Sequence, residues 1–180
     1  NLNADMWDAY LVRKALSFDL YRDQGIITPD AEPALLTVNG ELVGVVQDLE
    51  EVDGRFLARR GLPADAEVFK ANWDQGNLTK LSDPALYRTY YSQENGTAFG
   101  YDRLQDFIER LNDTADTDHA NTIAEYVNLP EWVKYHATLN FVGEDDSYVH
   151  NYFLYYDAAD PRWRFIPYDH DRSFGNQPWD

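Results

Sequence analysis

The residues best suited to chemistry lie near the end of the sequence, in the stretch EDDSYVHNYFLYYDAADPRWRFIPYDHDRSFG. An acidic and polar cluster lies at each end of this stretch, DDSYVHN and DHD, and the two runs between them are typical of β-strands. If these strands pair as a hairpin, the start of the first strand lies beside the end of the second. The side chains predicted to meet at that end are Asp146, Asn151, Asp169 and Asp171.

The three carboxylates of this group would repel one another unless a cation neutralised them. Together with an amide oxygen they form a set of hard ligands, which favours Mg²⁺, Mn²⁺ or Ca²⁺. The spacing Asp-x-x-x-x-Asn, followed one hairpin later by a strand-terminal Asp, also matches protein kinases. In those enzymes the first Asp accepts the proton of the substrate hydroxyl, while the Asn and the last Asp hold metal.

The spacing Asp-x-x-x-x-Asn is common by chance, so the hypothesis depends on its combination with the second acidic motif. Any single Asp here is equally consistent with a turn or a helix cap. His150 and His170 flank the motifs, and we interpret them as solvated or supporting residues rather than metal ligands.

The elements that must position these clusters follow from the hydrophobic pattern. Apolar residues at spacings of three and four predict helices, and alternating runs bounded by turn residues predict strands. Asn39-Gly40 predicts a tight hairpin turn. The predicted helices cover residues 5–24, 51–61, 83–91, 100–113, 114–127 and 129–143, and the predicted strands near the motifs cover 66–73, 150–157 and 163–169. We expect one mixed α+β domain over residues 1–180.

Composition excludes several classes of function. The 180 residues include 32 acidic and 15 basic side chains, for a net charge of −17, so nucleic acid and anionic membranes are not expected partners. The absence of cysteine excludes disulfides, zinc-thiolate sites and thiol nucleophiles. No apolar run approaches the roughly 18 residues that a membrane helix needs. An acidic surface of this kind suits divalent cations, high salt or a basic partner.

The segments DSYVHNYFLYYD and RWRFIPYDHDRSFG resemble two motifs of the CotH family, the spore-coat protein H kinases and their relatives. Those family motifs read WDSYxHNYYLY and IPWDxDxSFG. Upstream, MWDAYLVRKALSFDLYRDQG, LTVNGELVGVVQDLEEVDGRFLARR and EVFKANW are similar to further family segments. The resemblance covers nearly the whole chain and is thin from residue 74 to residue 125.

This resemblance implies an atypical protein-kinase-like fold that binds ATP with Mg²⁺ and phosphorylates protein substrates. Asp146 would be the catalytic-loop Asp, which accepts the proton or orients the hydroxyl. Asn151 and Asp169 would hold the metal, and Asp171 would support metal or phosphate.

The resemblance also implies three nucleotide-binding residues. Tyr168 stands where the family has a Trp that helps to stack the adenine, so an aromatic face is kept. Glu50 would position the nucleotide or a Lys, and Lys70 would contact the nucleotide.

Family members have strands before the first helix, and this sequence has no glycine-rich phosphate loop of its own. We therefore expect a piece of a longer domain, cut at both ends, that binds ATP less well than an extended chain. Two alternatives stay open: a metal-dependent hydrolase that uses the same carboxylates, and a Ca²⁺-binding structural module without enzyme activity. The resemblance further implies a Ser-rich, basic protein substrate and a location in the spore coat, the cell envelope or outside the cell.

Overall fold

The computed structural model of the chain describes residues 1–4, 8, 10–72, 75–96 and 100–175. Within these ranges the chain forms two antiparallel sheets and six α-helices, which confirms the predicted mixture of α and β structure. The helices are α1 Arg13–Asp23, α2 Gly54–Arg59, α3 Tyr87–Tyr90, α4 Asp102–Asp113, α5 His119–Tyr126 and α6 Leu129–Val142. The strands are β1 Leu2–Asn3, β2 Ala31–Val38, β3 Glu41–Leu49, β4 Glu67–Ala71, β5 Tyr91–Asn95, β6 Tyr152–Asp157 and β7 Asp160–Pro167.

The larger sheet has the strand order β5-β4-β6-β7 and carries the core on both of its faces. Side chains along a strand alternate between the two faces. On β6, Leu154 packs in one hydrophobic cluster with Phe69 of β4, whereas Phe153 and Tyr155 pack in a second cluster with Val68. Both faces of β6 are therefore covered, which explains its continuous aromatic and aliphatic sequence.

The hairpin of β6 and β7 has the predicted form. Tyr152 pairs with Pro167, and Asp157 pairs with Asp160 across a two-residue turn at Ala158 and Ala159. The first residue of β6 and the last residue of β7 therefore lie side by side at one end of the sheet. The sequences on either side of the hairpin, which carry the two acidic motifs, continue from that end.

The smaller sheet has the order β1-β3-β2, and its β2–β3 hairpin turns at Asn39 and Gly40 as predicted. Both turn residues have positive φ, 53° and 86°, as a type I′ turn requires. The two-residue strand β1 was not predicted. It pairs with β3 through Leu2 and Asp48 and through Asn3 and Gln47.

Helix α1 begins at Arg13 rather than at residue 5. Leu11 has a φ of 54°, and an Asp8 carboxylate oxygen accepts the Arg13 backbone N–H at 2.6 Å, so a turn precedes the helix. Residues 5–7 and 9 of the predicted helix lie outside the described residues.

The predicted helix over residues 83–91 is shorter in the structure and is followed by a strand. A 3₁₀ turn at Pro84–Leu86 leads into α3, and β5 then pairs with β4. None of the helices in the described part of the chain has the length and apolar composition needed to cross a membrane.

Candidate functional site

The end of the larger sheet where β6 begins and β7 ends carries both acidic motifs. We call it the motif edge and define it as residues 144–151 and 168–174. Asp146 opens a 3₁₀ turn, Asp146–Tyr148, that comes before β6, while Asp169 and Asp171 follow β7. The hairpin therefore brings the two sequence motifs to one end of the sheet.

Three residues of the motif edge have backbone conformations that side chains seldom adopt. Asn151 has a φ of 59°, Asp169 a φ of 56° and Phe174 a φ of 58°, all in the left-handed region. Asn and Asp tolerate this region best among residues with side chains. Asn151 is held there because its N–H donates to Ala71 O at 3.3 Å and Ser147 Oγ donates to its carbonyl at 3.3 Å. Such conformations cluster at functional sites, where they direct a side chain to one place.

Asp146 is paired with a cation that belongs to the second motif. Arg172 Nη1 lies 2.5 Å from Asp146 Oδ1, and Arg172 Nη2 lies 3.2 Å from Asp145 Oδ2. His150 Nε2 lies 3.9 Å from the other oxygen of Asp146, and this contact is an ion pair only when the imidazole is protonated. Arg172 therefore ties the turn before β6 to the loop after β7.

Asp169 is paired with a cation from the first helix. Lys14 Nζ donates to Asp169 Oδ1 at 2.8 Å. The Lys14 side chain is fully buried, whereas 31% of the Asp169 side chain is exposed. The carboxylate therefore lies between a buried ammonium and the solvent. Neither Lys14 nor Arg172 was predicted as a site residue.

The buried part of the motif edge is a polar layer formed by Glu144, Asp171 and Ser173. Glu144 Oε1 accepts the backbone N–H of Asp146 at 3.1 Å, and Ser173 Oγ lies 3.4 Å from Glu144 Oε2. Burial, together with the charges of Asp146, Asp171 and Asp145, raises the pKa of Glu144 to about 8, against the lowering effect of the Asp146 N–H. Asp171 is buried in the same region. Glu144 also was not predicted.

His170 separates Asp169 from Asp171 and is fully buried. Its ring makes edge contacts with Phe18 and Tyr21 of α1, with centroids 5.9 and 5.2 Å apart. Burial, with a contribution from the Lys14 charge, lowers the pKa of His170 to about 3. The imidazole is therefore neutral at physiological pH and packs the loop against the helix.

The three residues predicted to bind nucleotide line one small cavity beside the motif edge, of about 70 Å³. Lys70 Nζ lies 4.1 Å from the centre of the Tyr168 ring, which is a cation–π contact. Burial lowers the pKa of Lys70, and the charges of Glu94 and Asp169 oppose that shift. Tyr168 also meets Phe153 edge to face, with ring centroids 5.1 Å apart. One face of Tyr168 is thus covered by an ammonium.

Glu50 lines this cavity but is held mainly by arginines. Arg60 Nη2 lies 2.7 Å and Arg59 Nη1 lies 3.0 Å from its carboxylate, and Asp30 N donates to it at 3.2 Å. Burial favours a higher pKa for Glu50, but the hydrogen bonds from Arg60, Asp30 and Arg59 together lower it. Glu50 therefore anchors the end of β3 to α2 at the wall of the cavity.

A larger cleft of about 450 Å³ lies next to the small cavity and shares Asn1, Glu50 and Glu51 with it. Six carboxylates and two arginines line this cleft. A polyphosphate would meet mostly negative charge there, and the small cavity also has more carboxylates than cations, with Glu50, Glu51 and Glu94 beside Lys70.

The oxygen ligands at the motif edge are of the type that Mg²⁺ prefers. Mg²⁺ usually takes one or two protein carboxylates and completes its shell with water and substrate phosphates. Across the described ranges, no group of three or more His, Asp or Glu side chains is arranged to hold a metal ion. If a metal binds at the partly exposed Asp169, so few protein ligands would suit Mg²⁺ completed by phosphate and water better than Ca²⁺, which takes six to eight oxygen ligands.

Comparison with known proteins gives a family match over almost the whole chain. A family model described as CotH kinase protein matches residues 1–179. The chain is 32% identical over 180 residues to a protein named inner spore coat protein H, from Bacillus subtilis (strain 168). That alignment covers 97% of this chain and 49% of the relative, so the chain spans about half of the relative's length.

Proposed function

The chain belongs to the CotH family, and from this membership and the motif edge we propose that it is an ATP- and Mg²⁺-dependent phosphotransferase with an atypical protein-kinase-like fold. The acceptor would be a Ser or Thr hydroxyl of a protein. The observation that carries the proposal is the left-handed backbone at both Asn151 and Asp169, on neighbouring strand ends.

In this proposal Asp146 receives the hydroxyl proton as the acceptor oxygen forms a bond to the γ-phosphorus. The bond from that phosphorus to the bridging oxygen of ADP breaks at the same time, and ADP leaves with the electron pair. Arg172 holds the Asp146 carboxylate in place through a contact of 2.5 Å. Positioning and charge neutralisation account for most of the catalysis in such transfers.

Asn151 and Asp169 would hold Mg²⁺, which, when bound, neutralises charge on the phosphates. Asp171 would support that site from the buried layer. Lys70 and Tyr168 would contact the nucleotide, with the ammonium near the phosphates and the ring beside the base. Glu50 would fix the wall of the cavity through its arginine contacts.

A Ca²⁺-binding structural module is the second candidate function, since the relative carries the name of a spore coat protein. Such a module would use the acidic surface without nucleotide. We also propose the spore coat as the location of the chain, and a Ser-rich, basic protein as its substrate. The activity of the whole protein is part of the proposal, because the chain covers 49% of the relative.

The test is thermal unfolding with Mg²⁺ alone, Ca²⁺ alone, ATP alone, and Mg²⁺ with ATP, at one ionic strength. A ligand at a hundred times its Kd stabilises the native state by about 2.7 kcal/mol, which raises Tm by about 5–10 °C in a domain of this size. We expect this rise only with Mg²⁺ and ATP together. A rise with Ca²⁺ alone, unaffected by ATP, would support the structural module instead.

The variant that tests the metal ligand is Asp169→Asn. It removes the charge and keeps an oxygen that can accept from Lys14, whereas alanine would also remove the oxygen to which the buried ammonium donates. The matched control is Asp19→Asn, which removes the same charge from an exposed pair with Arg22. We expect Asp169→Asn to lose the joint effect of Mg²⁺ and ATP, and the control to keep it. Equal responses of the two variants would contradict the assignment.

A further inference from the structure

Lys14 is a buried cation next to the motif edge. It is the second residue of α1, its side chain is fully buried, and its Nζ lies 2.8 Å from Asp169 Oδ1. A buried ammonium is unfavourable unless it is paired. The pairing with a carboxylate that is 31% exposed fixes a positive charge beside the proposed metal ligand.

The position of this charge is fixed by the rest of α1. Arg13 Nη1 donates to the carbonyl of Ser173, and Ser17 Oγ donates to Ser173 Oγ at 3.0 Å. Phe18 packs against His170 one turn further along the helix. These contacts hold α1 against the loop after β7 and keep the backbone of Lys14 close to Asp169.

A divalent cation bound to Asp169 would lie close to the Lys14 ammonium, and the two would repel each other. In the described part of the chain, no group of three acidic or histidine side chains is arranged to hold a bare metal ion against this repulsion. A polyphosphate would change this balance, because its negative charge attracts both the metal and the lysine.

We propose that Lys14 sets the specificity of the motif edge, so that a divalent metal binds as its complex with a polyphosphate and poorly as the bare ion. This inference rests on the proposed function. It adds Lys14 to the proposed site and a preference for the metal–polyphosphate complex over the bare metal. Lys14 orients Asp169 through the hydrogen bond to Oδ1 and disfavours bare metal through its charge.

The test measures two dissociation constants, one for Mn²⁺ alone and one for the Mn²⁺ complex of ATP. The spin-resonance signal of free Mn²⁺ gives the first, and equilibrium dialysis of labelled ATP in excess Mn²⁺ gives the second. Both report binding directly and do not depend on the melting temperature. The variants are Lys14→Gln, which keeps a donor for Asp169, and Lys14→Met. The control is Lys134→Met, at an exposed lysine that donates to Gln24 O.

We expect wild type to bind the Mn²⁺ complex of ATP at least about tenfold more tightly than bare Mn²⁺. The reason is that the Lys14 ammonium repels the bare ion and attracts the phosphates of the complex. Lys14→Gln should bind bare Mn²⁺ about tenfold more tightly than wild type and show a smaller preference for the complex. Lys134→Met should behave like wild type. Unchanged or weaker binding of bare Mn²⁺ by both Lys14 variants would overturn the inference.

The two proposals fail in different ways. If wild type does not bind the complex, the proposed function is wrong. If, in that case, Lys14→Gln still binds bare Mn²⁺ more tightly than wild type, the inferred effect of the Lys14 charge is supported although the proposed function is wrong. If Lys14→Gln binds bare Mn²⁺ no more tightly than wild type, both proposals are wrong. Circular dichroism must first show that each variant is folded. If Lys14→Met does not fold, Lys14→Gln alone is compared with wild type.

Discussion

Glu144 is a residue at the motif edge whose protonation the fold alters strongly. Its side chain is buried beneath Asp146, whose N–H it accepts at 3.1 Å. Burial, assisted by three nearby aspartates, raises its pKa to about 8. The native state therefore binds a proton at Glu144 more tightly than the unfolded chain, in which a glutamate titrates near pH 4.3.

This difference predicts how stability depends on pH. Above the unfolded pKa, the unfolded chain releases this proton while the native state keeps it, so the contribution of Glu144 falls as pH rises. The loss ends near pH 8, the native pKa. We expect the free energy of unfolding of wild type, relative to Glu144→Gln, to fall between pH 6.5 and 8 by up to about 1.4 kcal/mol per pH unit.

Urea unfolding of both proteins at half-unit steps of pH measures this difference. Glutamine is neutral and keeps an oxygen for the Asp146 N–H, so the comparison isolates the titration. The lowered pKa of His170, about 3, acts in the opposite direction and mainly below pH 6.5, which leaves the chosen range to Glu144. Parallel pH profiles for the two proteins would show that Glu144 titrates normally.

The residues of the candidate site were predicted unevenly from the sequence. The hairpin pattern correctly placed the two acidic motifs at one end of the sheet, because strand pairing follows from local periodicity. The partners Lys14 and Arg172 were missed, and the pair of Lys14 with Asp169 spans 155 positions. No local sequence pattern predicts a contact between residues so far apart. A lysine four residues before Phe18, on the buried face of a helix, nevertheless indicates that its ammonium has a partner inside the fold.

These two cations also change the electrostatic argument. The sequence alone predicts that a bound cation relieves the repulsion among the carboxylates. In the structure, Arg172 pairs with Asp146 at 2.5 Å and Lys14 pairs with Asp169 at 2.8 Å, so much of that repulsion is already balanced. These two ion pairs therefore offset part of the repulsion without a bound metal.

At the scale of the elements, β6 connects the core to the site. It pairs with β4 and β7, and its side chains reach both hydrophobic clusters. Its first residue follows directly after Asn151. The position of the motif edge therefore depends on packing along this strand, whereas the β2–β3 hairpin exposes several aliphatic side chains, including Leu35 and Val45.

We expect the two sheets to contribute unequally to stability. Leu154→Ala removes a fully buried side chain from β6 and should cost about 3 kcal/mol of unfolding free energy. The matched change Leu35→Ala in β2, where 72% of the side chain is exposed, should cost less than about 1 kcal/mol.

Guanidinium unfolding, followed by tryptophan fluorescence and by circular dichroism, measures both changes. Equal losses for Leu154→Ala and Leu35→Ala would mean that the exposed hairpin is covered in solution. Transitions that differ between the two probes would mean that the sheets unfold separately.

The sequence predicted the elements with strong periodicity and missed those fixed by contacts. The helices α4 and α6 and the strands β4, β6 and β7 were all predicted within a few residues. Strand β5, with the polar sequence YSQEN, was missed because an edge strand need not alternate between apolar and polar residues. The start of α1 was misplaced because the side chain of Asp8 and the conformation of Leu11 fix it.

At the scale of the whole molecule, the excess of acidic residues weakens the folded state. The 32 acidic and 15 basic side chains leave a net charge of −17, and folding brings these charges closer together. Residues 23–54 contain eight acidic and no basic side chains, so the repulsion is concentrated around the β2–β3 hairpin and the larger cleft.

This repulsion predicts that salt stabilises the protein at pH 7. Between 0.01 M and 1 M NaCl, the Debye length falls from about 30 Å to about 3 Å, so repulsion between distant surface charges is screened. We expect Tm to rise by several degrees over this range at pH 7. Near pH 4.4, where the sequence carries little net charge, the rise should be much smaller.

The comparison of the two pH values separates screening from other effects of salt on folding. Equal slopes of Tm against salt at pH 7 and pH 4.4 would show that net charge is not the cause, and a fall in Tm at pH 7 would contradict the prediction. The result also governs the metal experiments, because MgCl₂ would stabilise so acidic a chain by screening alone. Only a response to Mg²⁺ with ATP that exceeds the response to NaCl of equal ionic strength supports a site at the motif edge.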